Sequence, residues 1–472
     1  MTTTEATTTL QKLPVTLLTG VSDESKSLIC KKVAENKDGM KIVLFVNDLQ
    51  KFKFDASQIE KQEEDRIALK NGSLLVQASE LYLEQLSSFV VDKKFDNCLF
   101  EVDKLEPLVA TIQAFAAIIS EEEEHEHDEN CDHEEEEDGI RMNDMAPLDT
   151  IVAVVDGETF MKDLESEETF ADRYGEDSIP QDASNEQICF QLVEQIEDAN
   201  IVIIHNLDKA EDKKTVEALI RKLNPVAKIM IGDVNPKELF NTGLYSLENS
   251  ENDTPVWMKQ LDGTVKSDTI DGISSFAYKR RRPFNTEKLN NLVYGSDYLN
   301  KETGIIRSKG IFWLCTRNNE TGDWNHVKNI IEFTSGGPFV SSLSEEELAA
   351  YPPEAIEKLK SKVEGEHGDR RTEILFIGKS MNQKEIEEKL DSCLITPEEL
   401  AKGVEYYGTM CEDSLPEWPV DDLLAMEEMF GVEDDEDEEG DEEDAEGGID
   451  ITTTPKRKRN TDESGSSKKT KK

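Results

Sequence analysis

Pro14-Val-Thr-Leu-Leu-Thr-Gly20-Val-Ser-Asp-Glu-Ser-Lys26-Ser27 decides how the first half of the chain is read. An apolar, β-rich run ends in glycine, Lys-Ser follows, and a helical pattern starts near Leu28. That order matches the phosphate-loop pattern G-x-x-x-x-G-K-[ST]. The pattern works because successive backbone N–H groups form an anion nest at a helix N-terminus. Its lysine reaches the outer phosphates and its Ser/Thr hydroxyl binds magnesium. Gly20, Lys26 and Ser27 stand in the required places. The second glycine is replaced by Ser25, where a non-glycine residue held at positive φ would cost about 1 kcal/mol or more. Asp23 and Glu24 add two carboxylates to the loop. Each would repel a bound polyphosphate by about 1–4 kcal/mol at contact range. A working nucleotide site and an inherited turn that binds nucleotide weakly both stay open.

Outward from this loop, short Val/Ile/Leu runs alternate with helical patterns to about Asp233. They begin at Pro14, Lys41, Ser73, Asn97, Thr150, Asn200 and Ala227. Nearly continuous apolar runs suit strands buried on both faces of a parallel sheet. Strand and helix in regular order predict an α/β fold, a doubly wound and mostly parallel sheet. Ser184-Asn-Glu-Gln187 predicts a capping box opening a helix that runs to Asp198. From Asp268 the runs from Gly272 and Gly310 alternate like half-exposed strands. A strand from Ile374, a helix near Gln383–Leu390 and a capping box at Thr396-Pro-Glu-Glu399 complete a small α+β unit. The expected organisation is a disordered start over 1–11, a phosphate-loop domain over 12–250 with an acidic insert at 121–145, the second domain over 268–415, and a disordered tail over 420–472.

The chain has 472 residues and a formal net charge of −50. Glu121 to Asp138 holds 13 acids in 18 residues, and Gly431 to Asp450 holds another 13, neither with a Lys or Arg. Such runs repel themselves and cannot bury a core, so solvated segments are expected. The overall charge repels phosphate, so no direct nucleic-acid partner is expected. No apolar run approaches the roughly 20 residues needed to span a bilayer, and no secretory signal is visible at the N-terminus. Seven dispersed cysteines without a Cys-x-x-Cys pair read as reduced thiols of the cytosol or nucleus.

Several stretches resemble the CobW/HypB/UreG family of phosphate-loop GTPases, many of them zinc or cobalt metallochaperones. In the first domain these are Lys12 to Gly20, Lys41 to Asp48, Leu148 to Gly157, Leu192 to Glu197 and Asn241 to Tyr245. In the second they are Gly272 to Phe276, Arg282-Pro-Phe284, Ile306 to Gly310 with Phe312-Trp313, Gly336-Gly-Pro338, Phe376-Ile-Gly378 and Pro416-Glu-Trp418. The second set resembles the CobW C-terminal domain. The resemblance covers about residues 12 to 420 and implies a phosphate-loop NTPase fold binding GTP and Mg²⁺. Around nucleotide and magnesium it implies Gly20, Lys26, Ser27, Asp48 and Glu101, with Asp208 left from the guanine reader.

The functional motifs match less well than the fold. The family's Cys-x-Cys-Cys after Asn-Gly becomes Ser73-Leu-Leu-Val76 after Asn71-Gly72, removing thiolates that zinc favours. The Glu-Ser-Thr-Gly switch becomes Glu101-Val-Asp-Lys104, and the base-reading Asn-Lys-x-Asp becomes His205-Asn206-Leu207-Asp208. The threonine-rich start lacks the Cys-Pro docking motif of relatives that serve methionine aminopeptidase. Joint drift of these motifs predicts weak or absent hydrolysis, with a metal-buffering or scaffold role. An active GTP-dependent zinc chaperone is the alternative.

Metal chemistry is expected at His125, His127, Cys131 and His133 in the acidic insert, where imidazole and thiolate together suit Zn²⁺; a plain acidic loop remains the other reading. His205 is read as a strand-end residue, and His326 and His367 as surface residues. Cys30, Cys98, Cys189, Cys315 and Cys393 are read as small core hydrophobes. Lys279-Arg-Arg-Arg282 reads as a solvated strand edge or a seat for an acidic partner. In the tail, Leu423, Leu424, Met426, Met429 and Phe430 would share one helical face. The cluster Lys456 to Arg459 resembles a nuclear localisation signal. An acidic run beside basic clusters also fits a chaperone of basic nuclear proteins. The expected location is cytoplasmic, nuclear or both, with a client protein or metalloprotein as partner.

Overall fold

The computed structural model describes residues 12–35, 39–46, 66–68, 88–90, 92–116, 118–119, 140–176, 185–247, 255–265, 268–349, 356, 360, 363 and 365–418. Asp48, His125, His127, Cys131, His133, the run from Ser73, the acidic runs and the tail lie outside them. Among the described residues no helix is long and apolar enough to cross a membrane.

The first sheet has seven parallel strands. They are β1 (Val15–Thr19), β2 (Ile42–Val46), β3 (Arg66–Ala68), β4 (Asn97–Glu101), β7 (Leu148–Asp156), β8 (Ile201–His205) and β9 (Lys228–Ile231), in the order β3-β2-β4-β1-β7-β8-β9. Every residue of β1, β2 and β4 is buried, as continuous apolar runs require when helices cover both faces of a sheet. β5 (Ile118–Ile119) pairs antiparallel with β6 (Ile140–Arg141), so the acidic insert leaves and returns at one place. Residues 140–145, which the sequence reading placed within the insert, form β6 and the helical turn Met142–Met145, with Met142 buried.

Helices α1 (Asp23–Glu35), α2 (Leu108–Ala116), α3 (Ile188–Glu197) and α4 (Lys213–Leu223) carry the crossovers. The Asp212 side chain accepts from the Thr215 amide and so starts α4. The box expected at Ser184 does not open α3. That helix begins at Ile188, and its N-cap, Gln187, makes no side-chain cap bond. Burial of Ile188, Leu192, Val193 and Ile196 determines the start instead.

The second sheet is antiparallel. It contains β10 (Ile273–Arg280), β11 (Ile305–Phe312), β12 (Glu320–Val327), β13 (Ile330–Pro338) and β14 (Thr372–Lys379), in the order β10-β14-β11-β12-β13. One face carries Tyr278, Phe312, Ile374 and Phe376 against α5 (Thr286–Val293) and α6 (Gln383–Cys393). The alternation read from sequence is present, but the other face is not solvated. Ile273, Ile306, Val327, Leu375 and Ile377 join the core of the first domain. The two domains therefore share one continuous apolar core. The box at Thr396 forms as expected, with Pro397 in the first helical turn.

Candidate functional site

Gly20 ends β1 at φ +154°, and a Cβ there would lie 2.5 Å from the Val154 carbonyl oxygen of β7. Close strand-to-turn packing alone therefore demands glycine at this position, whether or not phosphate binds.

Past Gly20 the chain departs from an open phosphate loop. Helix α1 starts at Asp23, well before the expected Leu28, so Asp23, Glu24 and Ser25 form its first turn. Ser22 caps that turn: its hydroxyl accepts from the Ser25 amide at 3.3 Å, and its carbonyl accepts from the Lys26 amide at 3.1 Å. Ser25 has helical backbone and is not among the residues with positive φ. The strain expected at the missing glycine is absent because the loop has folded into helix. The amides of Ser25 and Lys26 are thereby already occupied.

The charged groups are occupied as well. Lys26 is fully buried and donates to the Val102 carbonyl at 2.8 Å. Its Nζ stands 3.6 Å from Asp23 and 4.0 Å from Glu101, which ends β4 beside β1. Lys104 Nζ pairs with the other Asp23 oxygen at 2.6 Å and lies 3.8 Å from the centre of the Tyr174 ring. One carboxylate thus sits between two ammonium groups, at the N-terminus of a helix, where an anion is favoured. Burial and the neighbouring Asp23 charge raise the Tyr174 phenol.

Sequence reasoning placed Lys26 and Glu101 in one site, and the fold brings them together. Ser27 is half-buried on α1, and Glu24 is exposed. Asp208 is exposed on the turn Leu207–Lys209 after β8. From the same strand end, His205 Nδ1 meets Ser25 Oγ at 3.3 Å, so the reading of His205 as a strand-end residue matches its place. Lys104 and Tyr174 were missed as site residues, being 81 and 151 positions from Asp23. Between Gly20 and Lys26 the chain thus presents a carboxylate and a closed helical turn in place of an open loop.

Other expected sites are corrected. His326 is not a surface residue. It is fully buried, its Nδ1 2.9 Å from Ser308 Oγ and its Nε2 2.8 Å from the Lys328 carbonyl. Burial pushes its imidazole down to about 4. His367 is half-buried against the Trp313 ring. The basic stripe is taken up within its own domain. Arg280 grips Asp391 at 2.6 and 2.8 Å, Arg282 donates to the Ile395 carbonyl, and Lys279 faces Glu373. Cys30, Cys98, Cys189, Cys315 and Cys393 are buried, as expected of core thiols. Among the described residues no group of three or more His, Cys, Asp or Glu could hold a metal ion.

A buried ion pair lies between the domains. Glu197 of α3 receives Arg307 of β11 at 2.8 and 3.0 Å, with Lys309 at 3.4 Å. Arg307 also donates to Asn325. Burial alone would raise the Glu197 carboxyl, but Arg307 and Lys309 outweigh it and hold it below the usual range.

Comparison with known proteins places this geometry in context. Residues 14–231 match the profile described as "CobW/HypB/UreG, nucleotide-binding domain", and residues 273–394 match "Cobalamin synthesis protein cobW C-terminal domain". The chain is 30% identical over 421 residues to the "Zinc-regulated GTPase metalloprotein activator 1" of Dictyostelium discoideum, covering 84% of this chain and 83% of that protein. Among solved structures it is similar to the Zn(II)-bound YjiA GTPase of E. coli, at 17% identity and a TM-score of 0.33 over 81% of this chain and 99% of that one. It is also similar to HypB from Helicobacter pylori in complex with nickel, at 14% identity and a TM-score of 0.27 over 55% and 93%. Scores this low carry no weight for site or ligand, whereas the profile matches and the identity to the Dictyostelium protein do: the chain belongs to the CobW/HypB/UreG family and carries both its nucleotide-binding and its C-terminal domain.

Proposed function

We propose that this chain is a CobW-family protein with little or no GTP hydrolysis, acting as a metal-buffering scaffold for a protein client. The observation that carries this reading is Asp23. Its carboxylate lies between Lys26 and Lys104, the cations a triphosphate would otherwise attract. A nucleotide would have to displace this internal anion, unwind the first turn of α1 and approach Glu24 as well. Each of these steps opposes binding.

Metal buffering is assigned to His125, His127, Cys131 and His133 of the acidic insert, whose residue types suit Zn²⁺. The Dictyostelium relative's name, a zinc-regulated GTPase metalloprotein activator, supports a metalloprotein as the class of client. The cluster Lys456 to Arg459 assigns part of the population to the nucleus, where the acidic tail would meet basic proteins.

Calorimetric titration with GTP·Mg²⁺ tests the reading. Wild type should show no micromolar binding, and D23A/E24A should bind measurably more tightly. Micromolar binding by wild type that is lost in Lys26→Ala would overturn it in favour of a GTP-dependent zinc chaperone. Deleting residues 121–138 should remove most zinc binding; unchanged binding would sink the insert's role. Retention of basic nuclear proteins after removal of residues 431–472 would refute the role of the tail.

A further inference from the structure

Cys315 and Cys411 lie 96 positions apart, yet their sulfurs are 3.5 Å from each other. Among the described residues this is the one contact between two cysteines; Cys30, Cys98, Cys189 and Cys393 are buried without a thiol neighbour. Cys315 follows β11 and is buried against Trp313, Phe339 and Tyr407. Cys411 is partly exposed. It opens a segment, residues 411–418, that lies over the second domain with no helix or strand of its own.

That segment has three further attachments. Asp413 accepts from Arg317 at 2.9 and 3.1 Å and from Thr316 at 2.8 Å. Arg317 also donates to the Leu415 and Pro416 carbonyls and lies 4.3 Å from the Trp418 ring, which meets Phe312 edge-on. Ser414 accepts from Asn290 at 3.1 Å. These contacts hold the two thiols side by side on average. Most are exposed polar bonds, so each contributes little by itself.

We propose that Cys315 and Cys411 form a redox clasp: a thiol pair that low-molecular-weight disulfides convert to a protein disulfide, pinning residues 411–418 to the second domain. Cys411 meets the oxidant first because it is the accessible thiol. Its thiolate attacks one sulfur of a disulfide RSSR, forming a mixed disulfide and expelling RS⁻, which takes up a proton as RSH. Cys315 then loses its proton and attacks the Cys411 sulfur, and the second RSH leaves. Two protein thiols are oxidised and one RSSR is reduced to two RSH, so atoms and electrons balance. The sulfurs have to close by about 1.5 Å to reach a bond of about 2 Å. The coil at 411–418 can supply that movement without disturbing a strand. Burial pushes the Cys315 thiol up to about 11, so the second step is slow at neutral pH and quickens as pH rises.

The full chain, reduced and then incubated with glutathione disulfide without denaturant, tests the clasp. Rapid alkylation followed by mass spectrometry should show two thiols left unalkylated and a cross-linked peptide containing Cys315 and Cys411. Closure should quicken about tenfold per pH unit between roughly pH 7 and 9. The oxidised protein should be cut within residues 411–418 at least about tenfold more slowly than the reduced one, since the opened population limits cleavage. Cys411→Ser should show neither the cross-link nor the protection while keeping the circular dichroism of wild type. Glutathione held stably on Cys411, with Cys315 still alkylatable in the native protein, would overturn the proposal. So would a cross-link that leaves cleavage within 411–418 unchanged. Should Cys411→Ser misfold, the mapping and proteolysis of wild type alone decide.

Discussion

Two regions of this molecule bury a cation against a carboxylate, and they differ in what surrounds the pair. At the head of α1, Lys26 stands 3.6 Å from Asp23 and 4.0 Å from Glu101, and Asp23 keeps part of its surface in water. At the seam between domains, Arg307 holds Glu197 through two bonds of 2.8 and 3.0 Å, and both residues are buried. The first pair stands at the turn after β1, and its geometry is loose. The second joins helix α3 to the second sheet beside an apolar core, and its geometry is tight and two-pronged, as a guanidinium and a carboxylate permit. A partly exposed pair can be changed without losing the fold, whereas a charged seam inside a shared core cannot be half removed.

The largest effect is expected at the seam. Glu197→Ala leaves the Arg307 charge buried without its main partner and should cost about 3–5 kcal/mol in chemical denaturation. A cost below about 1 kcal/mol would erase the contrast between the two regions.

Acid should act on the same side of the comparison. His326 lies one residue from Arg307's partner Asn325, and its neutral ring accepts from Ser308 while donating to the Lys328 carbonyl. Protonation would reverse the Ser308 bond and place a buried charge near Arg307. Its folded pKa of about 4 lies below the roughly 6.5 of an unfolded histidine. Between these values the unfolded chain binds more protons, so stability falls as pH falls through the window, by up to about 3 kcal/mol. Comparing urea midpoints of wild type and His326→Asn at both ends of the window isolates this residue from the carboxylates. Equal pH slopes in the two proteins would refute it.

At the phosphate loop the stability effects should be smaller. Asp23→Ala removes a partly exposed partner and should cost about 1 kcal/mol or less, although it changes nucleotide affinity most. Ser22→Ala removes the cap of α1 and should cost roughly 0.5–1 kcal/mol, measured by thermal unfolding. A loss above about 3 kcal/mol from either change would mean that this turn is as structural as the seam.

Much of the fold was legible in the sequence. The continuous apolar runs of β1, β2, β4, β7 and β8 needed only local patterning, because strands buried on both faces carry no alternation. Lys26 was legible as a site residue through the phosphate-loop pattern, and Glu101 only through the family resemblance. Asp23 and Glu24 were legible as a charge problem, but not as a solution to one. Ser25 was expected to be strained and is not, since helix formation from Asp23 removes the need for positive φ. His326 was expected at the surface because it stands isolated from other metal-ligating residues in the sequence. It instead shares a strand face with Trp324, on the side that packs against the second domain's own helices.

By itself, then, the sequence determined the two sheets, their order along the chain, the glycine at the end of β1 and the family. Local apolar periodicity and turn chemistry encode the sheets and the glycine, and the family shows in the resemblance of whole stretches. Only the tertiary structure decided that Lys104 neutralises Asp23, that Arg307 reaches Glu197 110 positions away, and that Cys315 meets Cys411. Charges and thiols act through separation in space, and chain distance carries almost no information about that separation until the core has brought the strands together.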